Sequence, residues 1–280
     1  MTERHSLQRA AQAVLMSREP AAKVAAVRDL DARWQAGGLR VDQHHRAARI
    51  EIPGRPDRPT LVAAREVPRR RLGSPAGRIA LYHAIAHIEF NAINLALDAL
   101  YRFATMPRDY YGDWLRVAVE EALHFELMAA HLESLGSHYG ALPAHNGLWE
   151  MALKTDSDPM LRMALVPRVL EARGLDVTPK IMQRVGAAGD ARAVEILALI
   201  QRDEIGHVAI GNRWFRQQCA QRQLEPRETF RQLLREHTRG YLAGPFDEVA
   251  RLQAGFTQLE IDDLIALERE FNAQMDAHDA

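Results

Sequence analysis

Two short runs carry the residue types needed to bind metal: Glu120-Glu121-Ala-Leu-His124 and Asp203-Glu204-Ile-Gly-His207. In each, an acidic pair is followed by a Glu-x-x-His spacing. On an α-helix, residues i and i+3 share a face about one turn apart, so carboxylate and imidazole converge on one point. With 12 histidines in the chain, one such spacing is expected by chance. The matching upstream pattern is what lifts the signal. Glu89 precedes Glu121 by 32 residues, and Glu171 precedes Glu204 by 33. Both upstream glutamates sit among apolar residues: Ile85, Ile88 and Ile93 around the first, Leu165, Val166, Val169 and Leu170 around the second. A carboxylate buried without a partner costs several kcal/mol, so two of them in core-like segments call for a common cation. Four carboxylates and two imidazoles form a hard, oxygen-rich donor set, which suits iron or manganese.

Long helices must position these residues, and the sequence predicts four. The first spans Arg78–Thr105 and stops at Met106–Pro107. Asp109 is the expected cap of the second, which runs to Leu135 and is ended by Gly136. The third covers Asp158–Arg173, with Asp158 as cap, Pro159 in the first position and Gly174 as stop; the fourth runs from Asp190 to Gln221. A separate helix is expected to start near Pro179, and at least two more fill Pro226–Ala280. The first 36 residues predict one or two short helices, with Pro20 opening the second. From Gly37 to Gly77, Pro53, Gly54, Pro56, Pro59, Pro68, Gly73 and Pro75 break the pattern, predicting an irregular arm with room for a short strand near Arg49–Ile52. Ser137–Lys154 must cross over the bundle. The expected fold is all-α: a four-helix bundle over 78–221, an N-terminal segment and arm over 1–77, and C-terminal helices over 222–280.

A glutamate helix followed by a Glu-x-x-His helix, repeated, is the ligand inventory of di-iron carboxylate bundles. Four segments, HAIAHIEFNAINLALDA, DWLRVAVEEALHFELM, LVPRVLEARGLDVTP and QRDEIGHVAIGNRWF, with PAHNGLW between them, resemble the ferritin-like superfamily. More closely, they resemble an uncharacterised bacterial ferritin-like family related to the tRNA-hydroxylating di-iron enzymes. The likeness covers Pro68 to Phe256. It implies that Glu89, Glu121, His124, Glu171, Glu204 and His207 ligate two iron ions, with manganese as the alternative. It also implies that Asp203, and Glu120 in the other half, orient the ligand histidines from behind, the outer support such imidazoles need.

Other candidates have plainer readings beside the functional ones. His83 and His87 lie four apart, but His87 points away from Glu89 around the helix, which favours hydrogen-bonded structural histidines. Tyr110, Tyr111 and Trp114 either support electron transfer or pack against the connecting loop, and packing is the simpler role. In Pro143–Trp149, His145 either touches substrate or belongs to a crossover loop pinned by a buried tryptophan. Cys219, near a helix C-terminus, is not placed for nucleophilic chemistry.

Composition narrows the classes further. The 280 residues carry 36 basic and 37 acidic side chains, a net charge of −1 that lends no support to an RNA substrate. Lys23, Lys154 and Lys180 are the only lysines, and the arginines are scattered apart from Arg69–Arg70–Arg71. A single cysteine excludes an intramolecular disulfide framework, a cysteine-rich zinc module and a fused rubredoxin-type iron site. No membrane span or signal segment is evident, so a cytoplasmic location is expected. The leading expectation is an O2-dependent di-iron oxidase or monooxygenase. The alternatives are an iron-oxidising or peroxide-scavenging protein of the ferritin and rubrerythrin kind, and a non-enzymatic helical interaction module. Expected partners are a small-molecule or RNA substrate and an external electron donor, with a homodimer as one assembly left open.

Overall fold

The computed structural model describes residues 5–67, 72–238 and 242–276. Its regular elements are helical, so the fold is all-α. The chain divides into two compact units, Met1–Asp156 with Arg184–Ile196, and Ser157–Gln183 with Leu197–Ala280. No helix among the described residues is long and apolar enough to cross a membrane.

The first unit contains α1 (Leu7–Leu15), α2 (Pro20–Gln35), α3 (Pro75–Arg102), α4 (Arg108–Ser134) and α5 (Gly147–Lys154). Helix α3 begins three residues earlier than expected. Ser74 caps it by accepting from the Gly77 N–H at 3.1 Å, and Pro75 takes the first position, where its missing N–H costs nothing. Helix α4 starts at Arg108 behind Pro107, so Asp109 lies in the first turn and not at the cap as predicted. There its charge still favours the positive helix end. Gly136, at φ +73°, ends α4 as the sequence predicts, because only glycine adopts that conformation without strain. The connection between α3 and α4 is pinned by buried Tyr111, whose hydroxyl donates to the Phe103 carbonyl at 2.8 Å. Tyr111→Phe is expected to lower the unfolding free energy by about 1–2 kcal/mol, because that carbonyl loses its buried donor. An unchanged urea midpoint would refute this.

Among its described residues, the arm between α2 and α3 is irregular apart from a 3₁₀ turn at Ala64–Glu66. It is fastened to helices at separate points. The Ala48 N–H and carbonyl both bond the Tyr101 hydroxyl, at 2.8 and 3.2 Å. Trp149 Nε1 donates to the Glu51 carbonyl at 3.0 Å. Lys23 Nζ, fully buried, donates to the carbonyls of Leu15 (2.9 Å) and Gly54 (2.6 Å) and to Asn94 Oδ1. The strand predicted near Arg49–Ile52 does not form; within it the Glu51 carbonyl accepts from the Trp149 indole and not from a neighbouring strand. The backbone bridges among the described residues join Ser6 to Arg40 and Leu61 to Ala144. Arg69–Arg70–Arg71 lies outside the described residues.

The second unit draws on α6 (Pro159–Leu165), a π-helical turn (Val166–Glu171), α7 (Ala172–Ala187), α8 (Ala191–Gln221), α9 (Pro226–His237), α10 (Glu248–Gln253) and α11 (Gln258–Asp276). Asp158 caps α6 as predicted, accepting from the Met160 N–H at 2.8 Å. The predicted stop at Gly174 and fresh start near Pro179 are both corrected. Helix α7 runs through both residues, and Gly174 has no positive φ that would end it. Pro179 cannot donate to the Leu175 carbonyl, but Gln201 Nε2 donates to that carbonyl from α8 at 3.2 Å. The Ser137–Lys154 crossover is likewise part-helical, since α5 occupies its second half.

Candidate metal centre

Helices α3 and α4 form an antiparallel hairpin, and arithmetic along it brings Glu89 opposite Glu121. Glu89 stands 13 residues before the end of α3, and Glu121 stands 13 residues after the start of α4. At 1.5 Å per residue both lie about 20 Å from the connection. His124, one turn beyond Glu121, completes the trio. Its Nδ1 lies 3.3 Å from Oε2 of Glu89 and 3.3 Å from Oε2 of Glu121. All three side chains are buried, with Glu121 and His124 fully so.

Burial pushes the Glu89 carboxyl well above the usual carboxylate range, and the neighbouring charge of Glu121 adds to the effect. For His124, burial pulls the other way, yet hydrogen bonds and charge from Glu121 and Glu89 win and push it up to about 11. A cation held beside Glu89 and Glu121 would relieve that repulsion.

Within the first unit, Glu89, Glu121 and His124 each offer one ligand atom, and these atoms lie within 4.8 Å of one another. Two carboxylates and an imidazole suit a hard divalent ion. On α8, Glu204 and His207 are one turn apart, with Glu204 Oε1 3.7 Å from His207 Nδ1 and His207 fully buried. Glu171, the remaining predicted ligand, closes the π-helical turn and is half-buried.

The family described as "Protein of unknown function (DUF455)" matches residues 16–262. The chain belongs to the DUF455 family. A Haemophilus influenzae protein described as an uncharacterized protein is 48% identical over 221 residues, covering 76% of this chain and 77% of its own length. No solved structure matches the chain. The DUF455 match spans all six predicted ligands.

The outer-support candidates of this DUF455 chain carry ion pairs. Asp203 pairs with Arg202 at 2.9 Å, and Glu120 with Arg116 at 3.7 Å. His83 and His87 take no part in the Glu/His group. His83 Nε2 accepts from the Gly140 N–H at 2.9 Å, which fixes a neutral tautomer, and His87 Nδ1 bonds the Tyr139 hydroxyl at 3.0 Å. Burial lowers both to about 4, so they are uncharged at neutral pH. His145 is exposed, and its Nδ1 accepts from the Gly147 N–H at 3.2 Å. With His83, His87, Ile88, Leu142 and Leu148 it lines a small apolar pocket of about 50 Å³. Trp149, four residues on, is buried. Tyr110, Tyr111 and Trp114 are buried. Cys219 is buried against Met160, 4.0 Å between sulfurs, and burial raises its thiol above the usual range. Sequence reading gave no role to Arg168, fully buried three residues before Glu171. The available signal was a charged residue inside the apolar run LVPRVL.

Proposed function

We propose that this DUF455 chain is a ferritin-like di-iron carboxylate protein that works as an O2-dependent oxidase or monooxygenase on an organic substrate. The buried Glu/His group carries the reading. Carboxylates that repel each other in a dry interior are costly to keep, and holding metal ions is the function that offsets the cost. Glu171 and His207 join Glu89, Glu121, His124 and Glu204 in this proposal, giving four carboxylates and two imidazoles for two ions, with manganese as the alternative metal. When bound, iron supplies the electron chemistry that O2 activation requires.

The chain's own residues provide the setting. Glu89 and Glu121 would hold a cation between α3 and α4, with the His124 imidazole as the neighbouring neutral ligand. Asp203 and Glu120 steady the histidines from behind. With one cysteine and no iron–sulfur ligand set in the sequence, electrons come from a separate donor protein.

Anaerobic ferrous loading followed by O2 exposure tests the proposal. About two irons per chain are expected, with O2 uptake that oxidises them and a rate that the true substrate raises. Light scattering separates this reading from storage, which needs a large cage. A chain that binds neither iron nor manganese would sink the proposal and leave the interaction-module reading.

A further inference from the structure

Glu171 is delivered by the only π-helical turn among the described residues, Val166–Glu171. Such turns are rare and need local support, since each inserts an extra residue into the helix. Two fixtures hold this one. The first is a notch. A Cβ built on Gly211 of α8 would stand under 3.0 Å from both Cβ and Cγ of Pro167. Gly211 is absent from the residues with positive φ, so its glycine serves space and not backbone conformation. The second is a cage. The Arg168 guanidinium lies over the rings of Phe230 (3.8 Å), Phe215 (4.4 Å) and Phe256 (5.0 Å). Its Nη2 donates to Glu260 Oε1 at 2.5 Å. Glu260 is itself fixed by the Thr257 N–H at 2.9 Å and the Thr257 hydroxyl at 3.0 Å.

Position along the two helices ties these fixtures to the metal residues. Pro167 lies one turn before Glu171 and Leu175 one turn after it. On α8, Gln201 lies about one turn before Glu204 and Gly211 one turn after His207. Leu175 bonds Gln201, and Pro167 fills the notch at Gly211. The antiparallel seam is thus pinned on both sides of Glu171, which comes level with the Glu204–His207 turn.

Resting on the di-metal reading above, we infer that Gly211 and Arg168 are positioning residues that set the Glu171 carboxylate against Glu204 and His207. The magnitudes favour a sharp effect. Relieving a methyl at Gly211 needs several tenths of an ångström of helix movement, whereas ligand distances tolerate about 0.2 Å.

The test is anaerobic titration of the full chain with Co(II) alone, followed by calorimetry and by the visible spectrum of the bound ion. Gly211→Ala is expected to bind about 10–100-fold more weakly, with an altered Co(II) spectrum, while its far-UV circular dichroism is retained. Glu260→Gln keeps the capping bonds to Thr257 but removes the charge facing Arg168, and is expected to shift binding the same way. If Gly211→Ala does not fold, Glu260→Gln decides. A folded variant with wild-type affinity and spectrum overturns the inference and leaves the metal reading standing. Wild-type protein that binds no Co(II) overturns the metal reading, and the inference falls with it.

Discussion

Glu121→Gln is expected to abolish ferrous loading at concentrations that fill the wild-type protein, a loss of at least about 100-fold in affinity. The amide keeps the shape of a fully buried side chain and removes one anionic ligand. The change has a second signature. Wild type at a hundredfold excess of metal over its Kd gains about 2.7 kcal/mol of stability, which the variant should not show. Metal-free stability should stay within about 1 kcal/mol, because the substitution also removes the charge that burial sets beside Glu89. Thermal melts with and without Fe(II) read both effects. A variant that still melts higher with iron would remove Glu121 from the centre.

The second large effect concerns Lys23. Lys23→Met leaves the Gly54 carbonyl and Asn94 Oδ1 buried without their donor, and is expected to cost about 3 kcal/mol at pH 7. Burial lowers the Lys23 ammonium from 10.5 to about 7. The unfolded chain therefore holds this proton up to about 10.5, while the folded chain releases it from about 7 upward. Between those values the unfolded state binds more protons, so this contribution to stability rises with pH; below about 7 the burial penalty is fully present. The stability gap between wild type and Lys23→Met should widen from pH 7 to pH 10 in denaturant titrations. A gap that narrows would contradict the assignment.

Local signals in the sequence carried much of this. The stop of α4 at Gly136, the cap at Asp158 and the start at Asp190 follow from residues within a few positions of each boundary. The approach of His124 to Glu121 follows from the Glu-x-x-His spacing on one helix, and that of Glu89 from the α3–α4 hairpin. What escaped depends on distant partners. Nothing near Pro179 announces that Gln201 will satisfy the Leu175 carbonyl, so a proline that ordinarily starts a helix lies inside one. The π-helical turn is equally hidden, since the room for Pro167 is made by Gly211 far along the chain. The predicted strand in the arm met a distant partner of the same kind: Trp149 claims the Glu51 carbonyl from another helix.

The separately fastened arm has a consequence for how the chain withstands proteases. Arg46 is exposed in the irregular stretch before the Tyr101 anchor. A tryptic cut there would leave α1 and α2 packed on α3 and α4 on one side, with the Tyr101, Trp149 and Lys23 bonds gripping the other. The chain can be opened at that point without coming apart, and the fragments would travel together until denaturant separates them.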